Sequence, residues 1–305
     1  MTGSPLSLTK RVLWGAIVFC ALCLGFGFLG RFHGFFDALA VGRLVLTLAL
    51  TILGAVALLM RLWFAAGLAI LALLAVLPSL WPYLTPPQPL DAPLVTGFQH
   101  NIRFDNQSQA KIFSEIQARD PDFVLLQEVS GLSAGLRDAL KASYPHHLHC
   151  HLNYGWAAIV MTRLPPTGVE GCNENGRLSF MQVTAPDGAP ITLASIHLGW
   201  PWPYGQKTFV ETTIRPTLRS APAPALLAGD FNQQPWSAVV HDIARISGTE
   251  PLPGRRWTFW IAKLLPLQID NVLSDPGLEV SAQVLGRYGS DHHAQWIEIR
   301  RASSR

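Results

Sequence analysis

The stretch Ala225-Leu226-Leu227-Ala228-Gly229-Asp230-Phe231-Asn232 organises the second part of this chain. Its first four residues are small or apolar and predict a short buried strand, after which Gly229 allows a tight turn. Because alternate residues of an extended segment point the same way, we expect Asp230 and Asn232 to converge on one spot. A carboxylate beside an amide suits a bound water, a phosphate oxygen or a hard cation, although the same residues also make an ordinary turn.

Partners for this motif occur at the ends of other apolar runs. They are Asn101, Gln127-Glu128, His197-Leu198, Ile269-Asp270-Asn271 and Ser290-Asp291-His292. Proteins with α/β scaffolds commonly build their sites from polar groups gathered at strand ends. The pattern therefore predicts one site that is assembled from segments far apart in the chain.

Taken in order, these segments resemble the endonuclease/exonuclease/phosphatase superfamily, which includes DNase I-like nucleases, abasic-site endonucleases, neutral sphingomyelinases and inositol-polyphosphate phosphatases. The resemblance runs from about Leu94 to Ile299. It implies a hydrolase of phosphate esters with a four-layer sandwich, in which two β-sheets are flanked by helices. The residue pattern alone indicates only a layered α/β or α+β domain.

From Leu94 onward, predicted strands alternate with predicted helices. The predicted strands are 94–100, 123–129, 156–162, 178–184, 191–197, 225–230, 268–273, 279–285 and 294–300. The predicted helices are about 107–118, 131–143, 206–219 and 236–247.

The resemblance implies a divalent metal ion, Mg²⁺ or Mn²⁺, held by hard oxygen ligands. Glu128 is the expected ligand, with Asn101 beside it, and Asp291 completes the shell directly or through water. Some nuclease branches carry an acidic residue two positions after the Asn, where this chain has Arg103. This departure leaves open whether one ion or two bind. We expect Arg103 and Asn271 to contact the substrate instead.

Phosphate-ester hydrolysis needs an activated water, neutralisation of phosphoryl charge and help for the leaving group. By resemblance, Asp230 orients or deprotonates the water and Asn232 holds a phosphate oxygen. His292 contacts the phosphate or transfers a proton, while Asp270 fixes its tautomer. His197 is expected to bond the phosphate or the leaving group.

The chain before residue 85 has the composition of membrane-spanning helices. Its 305 residues are 49% hydrophobic with a mean hydropathy of +0.25, high for a soluble protein, and the excess lies in this first part. Because a bilayer core takes about 20 apolar residues per helix, we predict spans at about 12–30, 40–60 and 62–84. A cleaved signal peptide would explain only the first, and a soluble bundle would show polar faces.

The proline-rich segment 85–93 is predicted to be a stiff linker between the transmembrane region (1–84) and a catalytic domain (94–305). Basic residues exceed acidic ones by four before residue 85, whereas the whole chain carries +3, so the remainder carries −1. Duplex-binding domains usually have a basic stripe. We therefore expect a lipid-linked or small phosphate ester as substrate at the lipid bilayer. A nuclease acting on nucleic acid is the alternative, and a non-catalytic membrane protein that binds phosphorylated ligands is a further one.

The basic residues also predict topology. Three spans put the chain ends on opposite sides, with three basic residues on the side of the N-terminus and two on the other (Lys10, Arg11 and Arg61 against Arg31 and Arg43). The positive-inside bias then predicts a multi-pass protein of the bacterial inner membrane whose catalytic domain lies outside the cytoplasm. There Cys150 could pair with Cys172, although two buried free thiols fit the sequence equally well.

Three further motifs have competing interpretations. Gly131–Gly135 spells a nucleophile elbow around Ser133, but the leucines at helical spacing after Gly131 indicate a helix surface. The histidines of 146–151 are too closely spaced to wrap a tetrahedral ion alone, which favours an exposed loop or edge. The aromatic loop 199–204 is expected to border the site or touch lipid headgroups, or else to pack on the core.

Overall fold

The computed structural model describes residues 7–150 and 157–303. The helices are α1 (Leu8–Phe26), α2 (Gly34–Val41), α3 (Arg43–Leu59), α4 (Trp63–Leu80), α5 (Gln109–Arg119), α6 (Ala134–Ser143), α7 (Gln206–Phe209), α8 (Arg215–Ser220) and α9 (Ala238–Ser247). The strands are β1 (Val95–Asn101), β2 (Phe123–Gln127), β3 (His146–His149), β4 (Ala158–Thr162), β5 (Pro166–Cys172), β6 (Leu178–Thr184), β7 (Pro190–His197), β8 (Ala225–Asp230), β9 (Glu250–Pro251), β10 (Phe259–Ile261), β11 (Leu265–Leu267), β12 (Asp270–Ser274), β13 (Leu278–Val284) and β14 (Gln295–Arg301).

The strands after residue 94 form two mixed β-sheets, which confirms the predicted sandwich. Over the described residues, the first sheet has the order β13-β14-β1-β2-β4-β3 and the second the order β5-β6-β7-β8-β12-β9. Strands β10 and β11 form a separate hairpin. Each sheet contains one parallel pair, β1 with β2 and β7 with β8, among antiparallel neighbours. We call residues 94–303 the layered domain.

Apolar side chains fill three layers of this domain. Between the sheets lies a core that includes Phe123, Leu193 and Ile297. Helices α5 and α6 cover the outer face of the first sheet, and α8 and α9 cover that of the second. Burying apolar surface on both faces of each sheet produces the arrangement of helices, sheet, sheet and helices.

Several elements differ from the sequence prediction. The predicted helix 206–219 is divided into α7, a π-turn at Val210–Ile214, and α8, where Pro216 occupies the first turn. Strands β3, β5, β9, β10 and β11 were not predicted. Strand β3, which contains the first histidines of 146–151, lies at the edge of the first sheet. His151 lies outside the described residues.

Helices α1, α3 and α4 pack together through a core that includes Ile17, Leu50 and Ala69. We call residues 7–84 the helix region. Two segments, Leu8–Leu29 and Trp63–Tyr83, are each long and apolar enough to cross a membrane.

The predicted middle span 40–60 corresponds to α3, which starts three residues later than predicted. Among the described residues, this part of the chain is long enough for a span only together with α2, from which α3 is bent by 65° around Gly42. Helix α2 leaves the axis of α3 because it meets the layered domain, where Asp37 accepts hydrogen bonds from the first turn of α9.

Residues 85–93 form no helix, as the prolines predicted, but the segment lies against the layered domain. The Thr85 carbonyl accepts from Arg255 N, the Gln88 carbonyl from Ser281 Oγ, and Leu90 N donates to Glu298 Oε2. The linker is therefore attached along its length to the domain that it joins.

Candidate active site

The second sheet aligns three polar side chains at one end. His197 ends β7, Asp230 ends β8 and Asp270 begins β12, and the ladder pairs Asp230 with both of the others. Gly229 is required here because its φ is +151° and a Cβ would collide with the Ile196 carbonyl. After Asp230, Asn232 adopts the left-handed conformation with φ +48°, which Asn tolerates. This turn directs the Asn232 amide back to Asp230 Oδ2 at 3.3 Å and to Leu198 O at 2.8 Å.

The first sheet brings Asn101 and Glu128 to the same place. Asn101 ends β1, and Glu128 follows β2 in a left-handed conformation with φ +59°. Asn101 Nδ2 donates to Glu128 Oε1 at 3.1 Å and to Asp230 Oδ2 at 2.9 Å. Its Oδ1 accepts from Arg103 N, so the amide NH₂ faces both carboxylates. Asn101 thus links the ends of the two sheets.

Asp270 and His292 form a buried pair. His292 Nδ1 lies 2.8 Å from Asp270 Oδ2, which places the proton on Nδ1 and leaves Nε2 facing Asp230 Oδ2 at 3.7 Å. His100 supports this arrangement from β1, because its Nε2 donates to the His292 carbonyl at 3.2 Å. Burial lowers the pKa of His100 to about 4, so its ring is neutral and serves as a hydrogen-bond donor.

The pKa values in this cluster depart from their usual ranges. Burial alone would lower the pKa of His292, but the carboxylates of Asp270 and Asp230 outweigh it and raise that pKa to about 10. Burial raises the pKa of Asp230 to about 7, against the opposing charge of His292. For Asp270, burial is outweighed by the charge and hydrogen bond of His292, so its pKa is lowered. Opposed shifts of neighbouring groups are typical of sites that move protons.

A buried amide network fixes Asp270 from below. Gln99 Nε2 donates to Gln127 Oε1 at 2.7 Å, and Gln127 Nε2 donates to Ser195 Oγ at 2.9 Å. Gln295 Nε2 donates to Gln99 Oε1 and to the Asp270 carbonyl. These side chains come from both sheets. The network therefore fixes the ends of the two sheets relative to each other next to the site.

His197 lies between the two carboxylates that Asn101 links. Its Nε2 is 3.7 Å from Glu128 Oε1 and 3.6 Å from Asp230 Oδ2. Next to it, the Arg177 carbonyl accepts from His197 N, and the Arg177 side chain lines the same cleft. Burial lowers the pKa of Arg177, while Asp230 and Glu128 act in the opposite direction.

These groups line one cleft of about 440 Å³ at the shared end of the sheets. Asp291 also lies in its wall, exposed to solvent. The lining consists of Phe104, Glu128, Arg177, His197, Leu198, Gly199, Trp200, Asp230, Asn232, Phe259, Asp291 and His292. Acidic, cationic and aromatic groups therefore share a cavity of the size of a small ligand.

Two predicted substrate contacts lie elsewhere. The Arg103 guanidinium pairs with Asp105 at 2.6 Å on the surface. Asn271 is fully buried, and its Nδ2 donates to the Gln233 carbonyl at 2.7 Å. Ser133 precedes α6 and is not among the described residues that line the cleft, which leaves no support for a nucleophile elbow.

The sequence interpretation missed several cleft residues. Arg177 follows a turn at Asn173–Gly176, and Phe259 stands on the unpredicted strand β10. Phe259 packs on His292 with ring centroids 4.9 Å apart, and Trp200 packs on Phe259 at 6.2 Å. The aromatic loop 199–204 gave a signal for Trp200, but nothing local distinguished Arg177.

Comparison with protein families found a match over residues 98–292 to the endonuclease/exonuclease/phosphatase family. The match covers all the strand ends that build the cleft. No curated protein matches the chain.

Solved structures share the fold at low sequence identity. An endonuclease/exonuclease/phosphatase from Beutenbergia cavernae DSM 12333 is 20% identical and aligns with a TM-score of 0.53 over 68% of this chain and 71% of its own. The human Nocturnin catalytic domain with bound sulfate is 17% identical, with a TM-score of 0.51 over 71% and 96%. TDP2 from C. elegans is 16% identical, with a TM-score of 0.52 over 67% and 74%.

Proposed function

The chain belongs to the endonuclease/exonuclease/phosphatase family, whose members are hydrolases of phosphoester bonds, and from this premise we propose that it is a membrane-anchored, metal-dependent phosphoesterase. The observation that supports this most is the cleft in which Asp230 faces the Asp270–His292 pair. A protein that only binds phosphorylated ligands has no need of two buried carboxylates with opposed pKa shifts beside a histidine whose pKa is raised.

The cleft residues account for hydrolysis as follows. Asp230 orients and deprotonates a water, held for this by Asn101 and by the backbone amide of Asn232. His292, protonated below a pKa of about 10, presents Nε2–H to a phosphoryl oxygen while Asp270 holds Nδ1. The charge of Arg177, together with His197, adds to the stabilisation of the phosphoryl oxygens.

The residues present fit a divalent metal ion. Glu128, Asp230 and Asp291 bring three carboxylates to one cleft, the hard oxygen donors that Mg²⁺ and Mn²⁺ prefer. Such an ion would neutralise phosphoryl charge and acidify a bound water. We assign it to Glu128 and Asp291, with Asn101 orienting Glu128. The other close group, Asp230, Asp270 and His292, lies within 4.8 Å, but the bond between Asp270 and His292 already occupies one donor of each.

We propose that α1, α3 and α4 cross the membrane and that α2 lies at its surface. α3 has 17 residues and spans about 25 Å, close to the thickness of a bilayer core. Three crossings put the start of α1 opposite the layered domain, with Lys10, Arg11 and Arg61 at that far end. The positive-inside bias then puts the layered domain outside the cytoplasm. A disulfide between Cys150 and Cys172 fits an oxidising compartment.

We further propose an amphiphilic phosphate ester as substrate, in preference to nucleic acid. Aromatic rings run from the helix region to the site: Phe35 contacts Trp202, and two residues earlier in the same loop Trp200 contacts Phe259, which packs on His292. Such a row suits a substrate with an apolar portion at a membrane surface. The layered domain also lacks the excess of positive charge that drives non-specific DNA binding.

The test uses purified full-length protein in lipid nanodiscs. Turnover of a vesicle phospholipid, bis(p-nitrophenyl) phosphate, p-nitrophenyl phosphate, plasmid DNA and a single-stranded oligonucleotide is measured with Mg²⁺, with Mn²⁺ and in EDTA. We expect metal-dependent turnover of an ester that Asp230→Asn lowers by about 10²–10⁴-fold. The matched control is Asp91→Asn, an exposed carboxylate in the linker.

Each other outcome selects an alternative. DNA nicking without ester turnover would identify a nuclease. Phosphate-ester binding without any turnover would identify a non-catalytic binding protein. For topology, a C-terminal reporter that is active only outside the cytoplasm should be active, and activity of a cytoplasmic reporter at the same position would reverse the orientation.

A further inference from the structure

Helix α2 carries a carboxylate into an otherwise apolar segment. The Asp37 side chain is 1% exposed, and it does not pair with a cation within salt-bridge distance in the described ranges. Instead, Oδ1 accepts from Ala238 N at 2.6 Å, and Oδ2 accepts from Val239 N at 3.2 Å and from Gln233 Nε2 at 3.0 Å. The first two donors are the opening amides of α9, a helix of 10 residues in the layered domain.

The rest of α2, and the residues before it, also contact the layered domain. Trp236 Nε1 donates to the Ala40 carbonyl at 2.8 Å, which carries the contact to the end of the helix. Before α2, Gly30 packs so closely that a Cβ there would lie 3.0 Å from Ala238 Cβ and 2.5 Å from Asp37 Oδ1. Shape and hydrogen bonding thus fix one seat for α2 on the segment 233–239.

That segment begins directly after the cleft residues Asp230 and Asn232. The carbonyl of its first residue, Gln233, accepts a hydrogen bond from Asn271 Nδ2, and Asn271 is the neighbour of Asp270. The next residue, Gln234, accepts from Gln268 N through Oε1. Segment 233–239 is therefore held between β12, which carries one catalytic carboxylate, and α2, which belongs to the helix region.

The chemistry of the seat explains why a carboxylate occupies it. A buried charge is unfavourable unless hydrogen bonds compensate it, and the unpaired amides at the start of a helix provide such bonds with a matching dipole. In turn, without the Asp37 carboxylate, Ala238 N and Val239 N would lose their acceptor, and Gln233 Nε2 would keep only the Asp37 backbone carbonyl at 3.3 Å. Each region completes the hydrogen bonding of the other.

We propose that Asp37 is a positioning residue for catalysis, and that docking of α2 keeps Asp230 and Asn232 in their working geometry. The inference rests on the proposed function of the cleft. It makes the helix region part of the catalytic unit and not only its anchor. A displacement of reacting groups of about 1 Å lowers rates by as much as about a hundredfold, which sets the scale of the effect.

The test compares Asp37→Ala and Asp37→Asn in the full-length protein in nanodiscs, with two controls. Thr47→Val removes a buried hydroxyl of α3 that donates to the Arg43 carbonyl of the same helix. Ser237→Ala removes the side-chain cap of α9, which accepts from Val240 N, without touching α2. Readouts are kcat, KM and hydrogen exchange of the amides of Ala238 and Val239.

We expect Asp37→Ala to lower kcat by about ten- to a hundredfold with little change in KM, and to speed exchange of both amides. Asp37→Asn keeps one acceptor oxygen and should recover part of both losses. Thr47→Val and Ser237→Ala should keep the kcat of the native chain.

A native kcat in Asp37→Ala with faster exchange would overturn the positioning role. An equal kcat loss in Ser237→Ala would also overturn it, by reducing the effect to helix capping. If the native chain has no turnover, the proposed function fails. Unchanged exchange in Asp37→Ala would separately overturn the docking.

Discussion

The helix region and the layered domain use apolar residues in opposite ways. In the layered domain, large apolar side chains such as Phe123 and Phe180 are fully buried. In the helix region, many large ones point outward, with Leu59 and Phe64 85% and 87% exposed, while small ones such as Ala57 and Ala69 lie between the helices beside a few large ones such as Leu50. Small residues between helices and large ones outside are typical of proteins whose solvent is lipid.

The same contrast holds for buried charge. The layered domain buries Asp230, Asp270 and His292 at the cleft, where they perturb one another, and buries Arg256 against the Leu252 and Pro253 carbonyls. The helix region buries Asp37 and Arg43 at the end that meets the layered domain. Among the described residues, the buried carboxylates thus lie at the cleft or at the contact between the two regions. The following predictions test whether the chemistry of the cleft and the packing of the helix region can be changed separately.

The largest expected effect is loss of the metal. Removal by EDTA should abolish turnover, and Glu128→Gln should lower kcat by about 10²–10⁴-fold at ordinary Mg²⁺, because an amide is a weaker ligand for a hard cation than a carboxylate. Thermal unfolding of the helix region should not change. Turnover measured over a Mg²⁺ titration, with Glu174→Gln as the surface control, checks this, and full activity in EDTA contradicts the assignment.

The second expected effect concerns the pH profile. Asp270 helps to raise the pKa of His292 to about 10, so the protonated form is available through neutral pH and is lost as pH rises through that value. Asp270→Asn removes a negative charge and should bring the alkaline limb of kcat to lower pH, with kcat down by about ten- to a hundredfold.

The control for this comparison is Asp275→Asn, in a turn of the layered domain, measured at the same saturating Mg²⁺. It should keep the profile of the native chain. An alkaline limb that stays in place in Asp270→Asn would mean that the His292 proton does not limit the reaction.

Much of the layered domain was predictable because its chemistry follows its strands. Asp230, His197 and Glu128 each stand at the end of an apolar run, and strand pairing then fixes which ends meet. The order of these motifs along the chain therefore predicted both the fold and the residues that meet at the site. Helices α5, α6 and α9 begin within a few residues of their predicted positions, and the exact starts depend on capping contacts that composition does not reveal.

The remaining features depend on contacts between distant residues. Arg177 reaches the cleft because β6 pairs with β7, which no local pattern indicates. Asp37 was counted only as a charge, since its partners lie 201 and 202 residues later in the sequence. The bend between α2 and α3 lies beside that same contact, and hydropathy alone placed the start of the middle span at residue 40, before the bend.

A third prediction concerns the helix region alone. A Cβ on Gly54 would lie 2.9 Å from Ala69 Cβ, so α3 and α4 are in close contact there. Gly54→Leu should push the two helices apart and lower the free energy of unfolding by about 1–3 kcal/mol, as overpacking does. Thermal unfolding in detergent measures this, with Gly67→Leu, where a Cβ has open space, as control. A loss of kcat at temperatures where the variant remains folded would show that bundle packing also reaches the cleft.

The smallest expected effect tests whether the aromatic row serves substrate binding. Trp200 is 38% exposed and contacts Phe259 beside His292, so an apolar part of the substrate would rest on it. Since one aromatic contact contributes about 0.5–1.5 kcal/mol, Trp200→Ala should raise KM for an amphiphilic ester by about two- to tenfold and leave kcat unchanged. A small soluble ester, which has no such part, should show no change in KM. Tyr204→Ala, at an exposed position of the same loop, is the control. An equal rise in KM for both esters would show that Trp200 shapes the site and not substrate choice, and the preference for amphiphilic substrates would then lose its structural basis.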